Sequence, residues 1–188
     1  MAQEPELEAF LRSIERRAFK RTAYMVRDDD AALDIVQDAM IRLAQHYAHR
    51  PAEEWPMLFQ RILSNATMDH FRRLRVRNGV MVNLSDFEGE DPDDGFDLLA
   101  AITGGEGALG ALSAADEVER AQVVALIEEE VQKLPARQRE AFLLRYWEEF
   151  DTAETASVMG CSEGSVKTHC SRAVHALAKA LKARGIQR

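Results

Sequence analysis

The sequence predicts an all-α protein in which a flexible acidic linker joins two small helical domains. In two separate blocks, apolar residues recur at the three- and four-residue spacing of helices, and neither block contains a run of alternating β-branched residues. A glycine-rich acidic stretch lies between the blocks. The chain of 188 residues is long enough for one domain or two small ones. We therefore place the domains at 1–78 and 116–188 and the linker at 79–115.

Composition narrows the class of protein. A hydrophobic content of 46% and a charged content of 30% are those of a packed globular chain. No apolar run approaches the roughly 20 residues that span a bilayer, and the acidic N-terminus lacks the pattern of a secretory signal. Two cysteines do not make a disulfide framework. We expect a cytoplasmic protein without membrane insertion.

A net charge of −8 would disfavour binding to DNA if it were spread over the whole chain, but the negative charge is concentrated in one stretch. Eleven acidic residues, and no Lys or Arg, lie between Asn78 and Glu119, and the rest of the chain is slightly basic. Six of the ten glycines lie between Gly89 and Gly110. Such a composition is typical of a flexible linker. Residues 96–102 are apolar enough to form a short helix or a docking motif within it.

A helix near the end of the first 50 residues has two distinct stripes. The predicted core stripe consists of Leu33, Val36, Met40, Leu43 and Tyr47. The opposite stripe consists of Asp34, Asp38, Ile41 and Gln45. An isoleucine alone among polar residues is usually without function, but it can also anchor a partner.

The next helix is predicted to begin near Pro56, since proline is favoured in a first helical turn. Its apolar face consists of Phe59, Ile62, Leu63, Ala66 and Leu74, and His70 lies toward that side as a packed histidine. Its other face consists of Arg61, Asn65, Met68, Arg72 and Arg75. Between residues 61 and 77 there are five arginines and one acid. The basic face is either a solvated surface or one that follows phosphates, with Asn65 available to a base.

The second block begins with a helix predicted over 116–133, whose apolar positions are Val123, Leu126, Ile127 and Val131. The pair Leu134 and Pro135 breaks this helix and starts another, which we expect to continue through Tyr146.

A helix-turn-helix follows over 152–177. The short helix covers 152–159, the turn covers 160–162 and the long helix covers 163–177. Gly160 suits a left-handed C-terminal cap and Ser162 suits an N-cap. The predicted buried stripe of the long helix consists of Val166, Cys170, Ala173 and Leu177, and its outer face of Lys167, Thr168, Ser171, Arg172 and His175. Short hydroxyls flanked by cations suit entry into the DNA major groove, although an αα-hairpin with a polar outer face has the same pattern.

The residues point to neither a metal site nor an enzyme. A zinc site is conceivable from Cys161, His169, Cys170 and His175, but their spacing fits no standard ligand pattern and Cys170 is predicted to face inward. We find no nucleophile–base pair and no glycine-rich loop that would cradle a phosphate. We expect no metal, no cofactor and no catalytic residues.

Four segments together resemble RNA polymerase sigma factors of the extracytoplasmic-function (ECF) type. DIVQDAMIRL over 34–43 resembles the family's polymerase-binding helix, and LFQRILSNATMDHFRR over 58–73 resembles the helix that reads and melts the minus-10 element. LPARQREAFLLRY over 134–146 and SEGSVKTHCSRA over 162–173 are similar to the domain that binds the minus-35 element. His169 stands where the family often has arginine.

The resemblance implies three sets of site residues. Those implied to bind core RNA polymerase are Asp34, Gln37, Asp38, Ile41 and Arg42. Those implied to bind the minus-10 element are Arg61, Asn65, Arg72 and Arg73. Those implied to bind the minus-35 duplex are Lys167, Thr168, Ser171 and Arg172. The implied partners are core RNA polymerase, promoter DNA and an anti-sigma factor.

Two other functions fit parts of the sequence. A stand-alone helix-turn-helix regulator would use its first block to sense a signal or to dimerise. A helical adaptor that binds no DNA, such as an anti-anti-sigma partner, would need only the packed helices. Initiation by core polymerase distinguishes a sigma factor from both.

Overall fold

The computed structural model of the chain describes residues 3–78 and 114–185, which contain seven α-helices and no strand. The all-α prediction is therefore confirmed. Nearly all of the predicted linker, including the segment 96–102, lies outside the described residues. Within the described ranges, no helix is both long and apolar enough to cross a membrane.

The first group consists of α1 (Gln3–Val26), α2 (Asp29–Tyr47) and α3 (Trp55–Asn78), with one 3-10 turn (Ala52–Glu54) before α3. The Asp28 side chain caps α2 by accepting a hydrogen bond of 3.0 Å from the backbone N–H of Ala31. The indole N–H of Trp55 donates to the carbonyl of Tyr47 at 3.3 Å. This bond ties the start of α3 to the end of α2.

The core of the first group lies among these three helices. Trp55, Phe59 and Leu63 of α3 are almost completely buried, together with Val36, Ala39 and Leu43 of α2. Leu33 was predicted to join this core, but its side chain is 43% exposed. The buried stripe of α2 is centred on Ala32 and Ala39 and also includes Ile35. Leu33 lies at the edge of this stripe and is therefore exposed.

The second group consists of α4 (Ala114–Lys133), α5 (Ala136–Phe142), α6 (Thr152–Met159) and α7 (Glu163–Ala183). The helix expected through Tyr146 ends earlier, since Leu143–Trp147 forms a single π-helical turn after α5. The helix predicted over 163–177 continues to Ala183, because Ala178 and Leu181 are also buried and extend its apolar stripe.

The turn of the helix-turn-helix has the predicted caps. Gly160 is left-handed, with φ of 64°, and its N–H bonds to the carbonyl of Ala156. The Ser162 side chain accepts a hydrogen bond of 3.1 Å from the N–H of Ser165. At the other end of α6, Asp151 and Glu154 form a reciprocal capping box. Each helix end therefore has a partner, which defines the angle between α6 and α7.

The two groups pack against each other. One apolar cluster includes Val36 and Phe59 of the first group and Val131 and Leu177 of the second. Helix α1 lies against α4 and α5, and α3 lies against α6. In this arrangement the described residues form one continuous body.

Replacing Gly160, in the turn, and Gly164, in α7, by alanine should change the free energy of unfolding in opposite directions. A Cβ at Gly160 would meet no atom within 4 Å, but the φ of +64° strains any L-residue, so Gly160→Ala should lower the free energy of unfolding by about 1 kcal/mol. Gly164 lies in α7 with ordinary space for a Cβ, so Gly164→Ala should raise it by up to about 1 kcal/mol. Urea unfolding followed by circular dichroism measures both. Equal effects of the two changes would contradict the left-handed cap.

Candidate nucleic-acid and polymerase interface

The outer face of α7 presents most of the residues proposed for duplex DNA. Lys167, Thr168 and His175 are exposed, and Ser171 and Arg172 are half-buried. The Thr168 hydroxyl donates to the carbonyl of Gly164 at 3.0 Å, which orients its oxygen close to the helix surface. The predicted outer face is therefore exposed at three of its five residues and half-buried at the other two.

The inner face of α7 holds the helix in place. Val166, Ala173 and Leu177 are at most 1% exposed, as predicted. Cys170 is only half-buried, and burial raises the pKa of its thiol to about 11. Burial also raises the pKa of the Cys161 thiol. Both thiols are free, and their raised pKa values favour the protonated, weakly nucleophilic form near neutral pH.

His169 is a half-buried imidazole on the recognition helix. Burial lowers the pKa of His169, and the neighbouring charges of Arg137 and Arg172 lower it further. Its Nδ1 is buried without a hydrogen-bond partner. The side chain is therefore neutral at neutral pH, unlike the arginine that is common at this position of the family the sequence resembles. Among the residues the structure describes, no group of three or more His, Cys, Asp or Glu could hold a metal ion.

Helix α3 exposes a polar strip. Arg61 and Asn65 are exposed one turn apart, and Arg72 lies almost two turns further along the same face. Arg72 donates to Asp69 at 2.6 Å in an ion pair on the exposed surface. Arg73 is exposed as well, beside that face. The predicted apolar face lies opposite, with Phe59, Leu63 and Ala66 buried.

The exposed side of α2 carries all five residues proposed to bind polymerase. Asp34, Gln37, Asp38, Ile41 and Arg42 are all exposed, and Ile41 is exposed by 52%. Arg42 pairs with Asp38 at 2.7 Å. Leu33 lies two turns before Ile41, so the two exposed apolar side chains flank Gln37 on one stripe.

A polar groove between α2 and α3 brings two of the predicted sets together. Its lining includes Asp34, Asp38 and Arg42 from α2 and Asp69 and Arg73 from α3. The surface proposed for polymerase is therefore continuous with one edge of the strip proposed for the minus-10 element. The residues on α7 belong to a different surface.

Sequence reasoning missed a set of buried polar residues between the two groups. These residues are Arg21, Gln60, Ser64, Arg139 and Glu140, all less than 9% exposed. Arg and Glu are usually exposed, so no pattern in the sequence marks them as buried. Helix α1, which contributes Arg21, had no predicted role.

Comparison with known proteins places this arrangement in a family. The family described as Sigma-70, region 4 matches residues 125–177, from within α4 into α7. The ECF RNA polymerase sigma factor SigL of Mycobacterium tuberculosis is 30% identical over 166 residues, which are 86% of this chain and 80% of SigL. The chain belongs to the ECF RNA polymerase sigma factor family.

Two further comparisons give another relative and a solved structure of the same fold. The ECF sigma factor BldN of Streptomyces coelicolor is 29% identical over 192 residues, 96% of this chain, although the match spans only 63% of BldN. The sigma factor RpoE of Bartonella quintana, solved in complex with the anti-sigma factor NepR, has the same fold. Its TM-score is 0.59 at 20% identity, over 94% of this chain and 97% of that one.

The neutral state of His169 predicts a dependence of stability on pH. Because its pKa is lower in the folded than in the unfolded chain, the unfolded chain takes up a proton first as the pH falls below about 6.5. The stability contributed by the buried neutral imidazole is thus lost as the pH falls from about 7 toward 5. His169→Gln should lose less free energy of unfolding over that interval than the unsubstituted chain. His175→Gln, an exposed position on the same helix, serves as the control, and equal behaviour of the two variants would refute the assignment.

Proposed function

We propose that this ECF sigma factor binds core RNA polymerase, recognises the minus-35 and minus-10 promoter elements and promotes DNA melting. The observation that carries the proposal is the exposed strip of Arg61, Asn65 and Arg72 on α3, which adjoins the groove to α2. The chain itself would supply binding surfaces and no catalytic residue.

At the minus-10 element, the arginines and the amide would have separate roles. Arg61, Arg72 and Arg73 would neutralise phosphates, which holds the strand without reading its sequence. Extruding a base costs a few kcal/mol in lost stacking. Asn65 would offset this cost by hydrogen bonding to the extruded base, since an amide both donates and accepts. Phosphate would have to displace Asp69 from Arg72.

At the minus-35 element, α7 would enter the major groove. Lys167 and Arg172 would contact phosphates or guanine edges, and Thr168 and Ser171 would contact base edges through their hydroxyls. The caps at Gly160 and Ser162 support this role because they set the angle at which α7 leaves α6. Because His169 is neutral, the base preferences of this chain would differ from those of a family member with arginine at this position.

The polymerase would bind the exposed side of α2. Ile41 and Leu33 offer apolar contact, and Asp34, Gln37, Asp38 and Arg42 surround them with polar groups. An apolar centre with a polar rim is typical of protein–protein interfaces. We further propose that residues 1–78 and 116–188 act as the two promoter-binding domains and that the acidic stretch 79–115 links them.

We also propose an anti-sigma partner for this chain. The solved RpoE of Bartonella quintana is bound to an anti-sigma factor, and the exposed surfaces of α2, α3 and α7 offer such a partner the same targets. Occupying any of these surfaces would prevent initiation.

Run-off transcription with purified core polymerase tests the function and the role of Asn65 together. The chain should make core polymerase initiate at a defined start site. Asn65→Ala should lower the rate of promoter opening about 10-fold, because it removes hydrogen bonding to the base of roughly 1.4 kcal/mol. A template whose minus-10 region is already mismatched should restore most of the rate, because its bases are unstacked in advance.

The control for this experiment is Gln45→Ala, an exposed position on α2. It should leave opening unchanged. If the chain gave no specific transcript at any candidate promoter, the proposed function would be wrong. If Asn65→Ala opened the promoter normally, only the assignment of Asn65 would be lost.

Ile41 provides a separate test of the polymerase surface. Ile41→Asp should weaken binding to core polymerase at least about 10-fold, because a carboxylate would have to be desolvated where an apolar side chain is expected to pack. Gln45→Asp adds the same charge one turn away and should change the affinity little. Titration of labelled chain with core polymerase measures both, and equal affinities for the two variants would place the contact elsewhere.

A further inference from the structure

An apolar pocket lies between α1, α4 and the π-helical turn at Leu143–Trp147. Its volume is about 200 Å³. It is open to water at Val124, which is 39% exposed, and at Tyr146, which is 44% exposed. These two belong to the five large apolar side chains that are exposed among the described residues. The buried part of its wall consists of Ile127, Val131, Phe142 and Leu143.

The size and the wall of this apolar pocket indicate what it can hold. Sites for small molecules usually have volumes of about 300–1,000 Å³, so a cavity of about 200 Å³ suits one or two inserted side chains. Phe142 and Tyr146 form an aromatic pair with ring centroids 4.9 Å apart, and Tyr24 meets Trp147 edge to face at 5.7 Å. Aromatic walls favour a bulky apolar anchor. The expected occupant is therefore a peptide segment with phenylalanine or leucine.

The edge of the apolar pocket on the α1 side is basic. Lys20 lies one turn before Tyr24 of the pocket wall, Arg27 immediately follows α1, and both cations are exposed. The ammonium of Lys20 lies 5.6 Å from the ring centroid of Trp147, which also lines the pocket. Positive charge at this edge favours an occupant that has acidic residues beside its apolar ones.

The acids of α4 near the pocket already have partners. Among the described residues that line the pocket, Glu128 is the one acid, and the Tyr24 hydroxyl donates a hydrogen bond to it. Burial and this hydrogen bond raise the pKa of Tyr24 to about 12, so the hydroxyl keeps its proton at neutral pH. Glu129 and Glu130 each pair with Lys133 at 2.8 Å. Repulsion of an acidic occupant is therefore reduced on the α4 side.

One segment of this chain has the required composition. Residues 96–102 of the predicted linker, FDLLAAI, contain six apolar residues and one acid. Acidic residues flank the segment on both sides, and the linker has no Lys or Arg. Because helical residues are about 100° apart, a helix over this segment would place Asp97 and Ala101 on one side. The opposite side would consist of Phe96, Leu98, Leu99 and Ile102.

The covalent connection is long enough to bring this segment to the pocket. Eleven residues, 103–113, separate it from the start of α4 at Ala114 and span up to about 40 Å when extended. Val124 lies ten residues into α4, about 15 Å along the helix axis. A short flexible connection gives an effective concentration on the order of millimolar, so weak contacts suffice for docking. The other apolar part of the linker, 80–87, is joined to α4 by 26 residues, which lowers its concentration at the pocket.

We propose that residues 96–102 dock in the apolar pocket, with their large apolar side chains inserted and their acidic flanks close to Lys20 and Arg27. The docking requires neither polymerase nor DNA, so it goes beyond the proposed function and does not depend on it. The docked segment covers Val124 and Tyr146. A helix of another protein that binds this pocket has to displace the segment first.

Photo-crosslinking within the free, full-length chain tests the proposal. The photoreactive analogue p-benzoylphenylalanine replaces Phe96, and mass spectrometry identifies the crosslinked tryptic peptides of the irradiated monomer. The crosslinks should join position 96 to the pocket, within 124–131 or 142–147. The same analogue at Phe87, the other phenylalanine of the linker, should not reach those residues. Crosslinks from Phe96 to other helices, crosslinks between two chains, or pocket crosslinks from Phe87 alone would overturn the proposal.

Two substitutions in the segment test which of its sides enters the pocket. Leu99→Asp puts a carboxylate on the inserted side and should lower the yield of crosslinks from position 96 at least about 5-fold, because the charge would have to lose its water. Ala101→Asp adds the same charge on the opposite side and should change the yield little. Equal losses for the two variants would refute the insertion of these side chains.

Substitutions in the pocket provide the complementary test. Val124→Asp should also lower the yield, whereas Gln122→Asp, at an exposed position two residues earlier on α4, should not. Both Asp variants are at exposed sites and should keep the helical content measured by circular dichroism. The double variant Leu99→Asp with Val124→Asp should lose no more than either single variant, because both remove the same contact. Additive losses would place Leu99 and Val124 in separate contacts and would overturn the docking.

Discussion

The buried guanidinium of Arg139 is the contact on which the rest of the structure depends. It donates to Val131, Gln132 and Leu134 at the junction of α4 and α5, and to Tyr24 and Met25 at the end of α1. Burial lowers its pKa to about 10, so it stays charged at neutral pH. A buried cation needs such acceptors, and these come from two helices, α1 and α4, and from Leu134 just after α4. The position of α5 relative to α1 follows from this requirement, and the helix-turn-helix is built on α5.

The functional surfaces are the helix faces that this packing leaves uncovered. Helix α3 uses one face for the core of the first group and a second, which includes Ser64, for contact with the second group. This leaves the strip of Arg61 and Asn65 exposed. Helix α7 buries Val166 and Leu177 and leaves Lys167 and Thr168 exposed to solvent. Each binding surface therefore shares a helix with a packing surface, so a change in packing changes how the binding residues are presented.

Much of the local structure could be predicted because its causes are local. The helix of 152–159, the left-handed Gly160 and the cap at Ser162 depend on residues within one turn of each other. Leu33 was misplaced because a stripe of large apolar residues and a stripe of small ones overlap on α2, and periodicity does not say which one a neighbour will cover. The π turn at Leu143–Trp147 was also missed, and the ring of its Trp147 packs edge to face on Tyr24 of α1, which is distant in the sequence.

The sequence by itself determined the helices, the helix-turn-helix and the outward positions of most of the candidate residues, because amphipathic periodicity and capping act over a few residues. Only the tertiary structure decided that α3 has a second buried face and that Arg21, Ser64 and Glu140 meet across it. Such residues are buried by partners more than 70 positions away in the case of Ser64 and Glu140. Their burial results from the packing of the two groups against each other, and no local pattern encodes it.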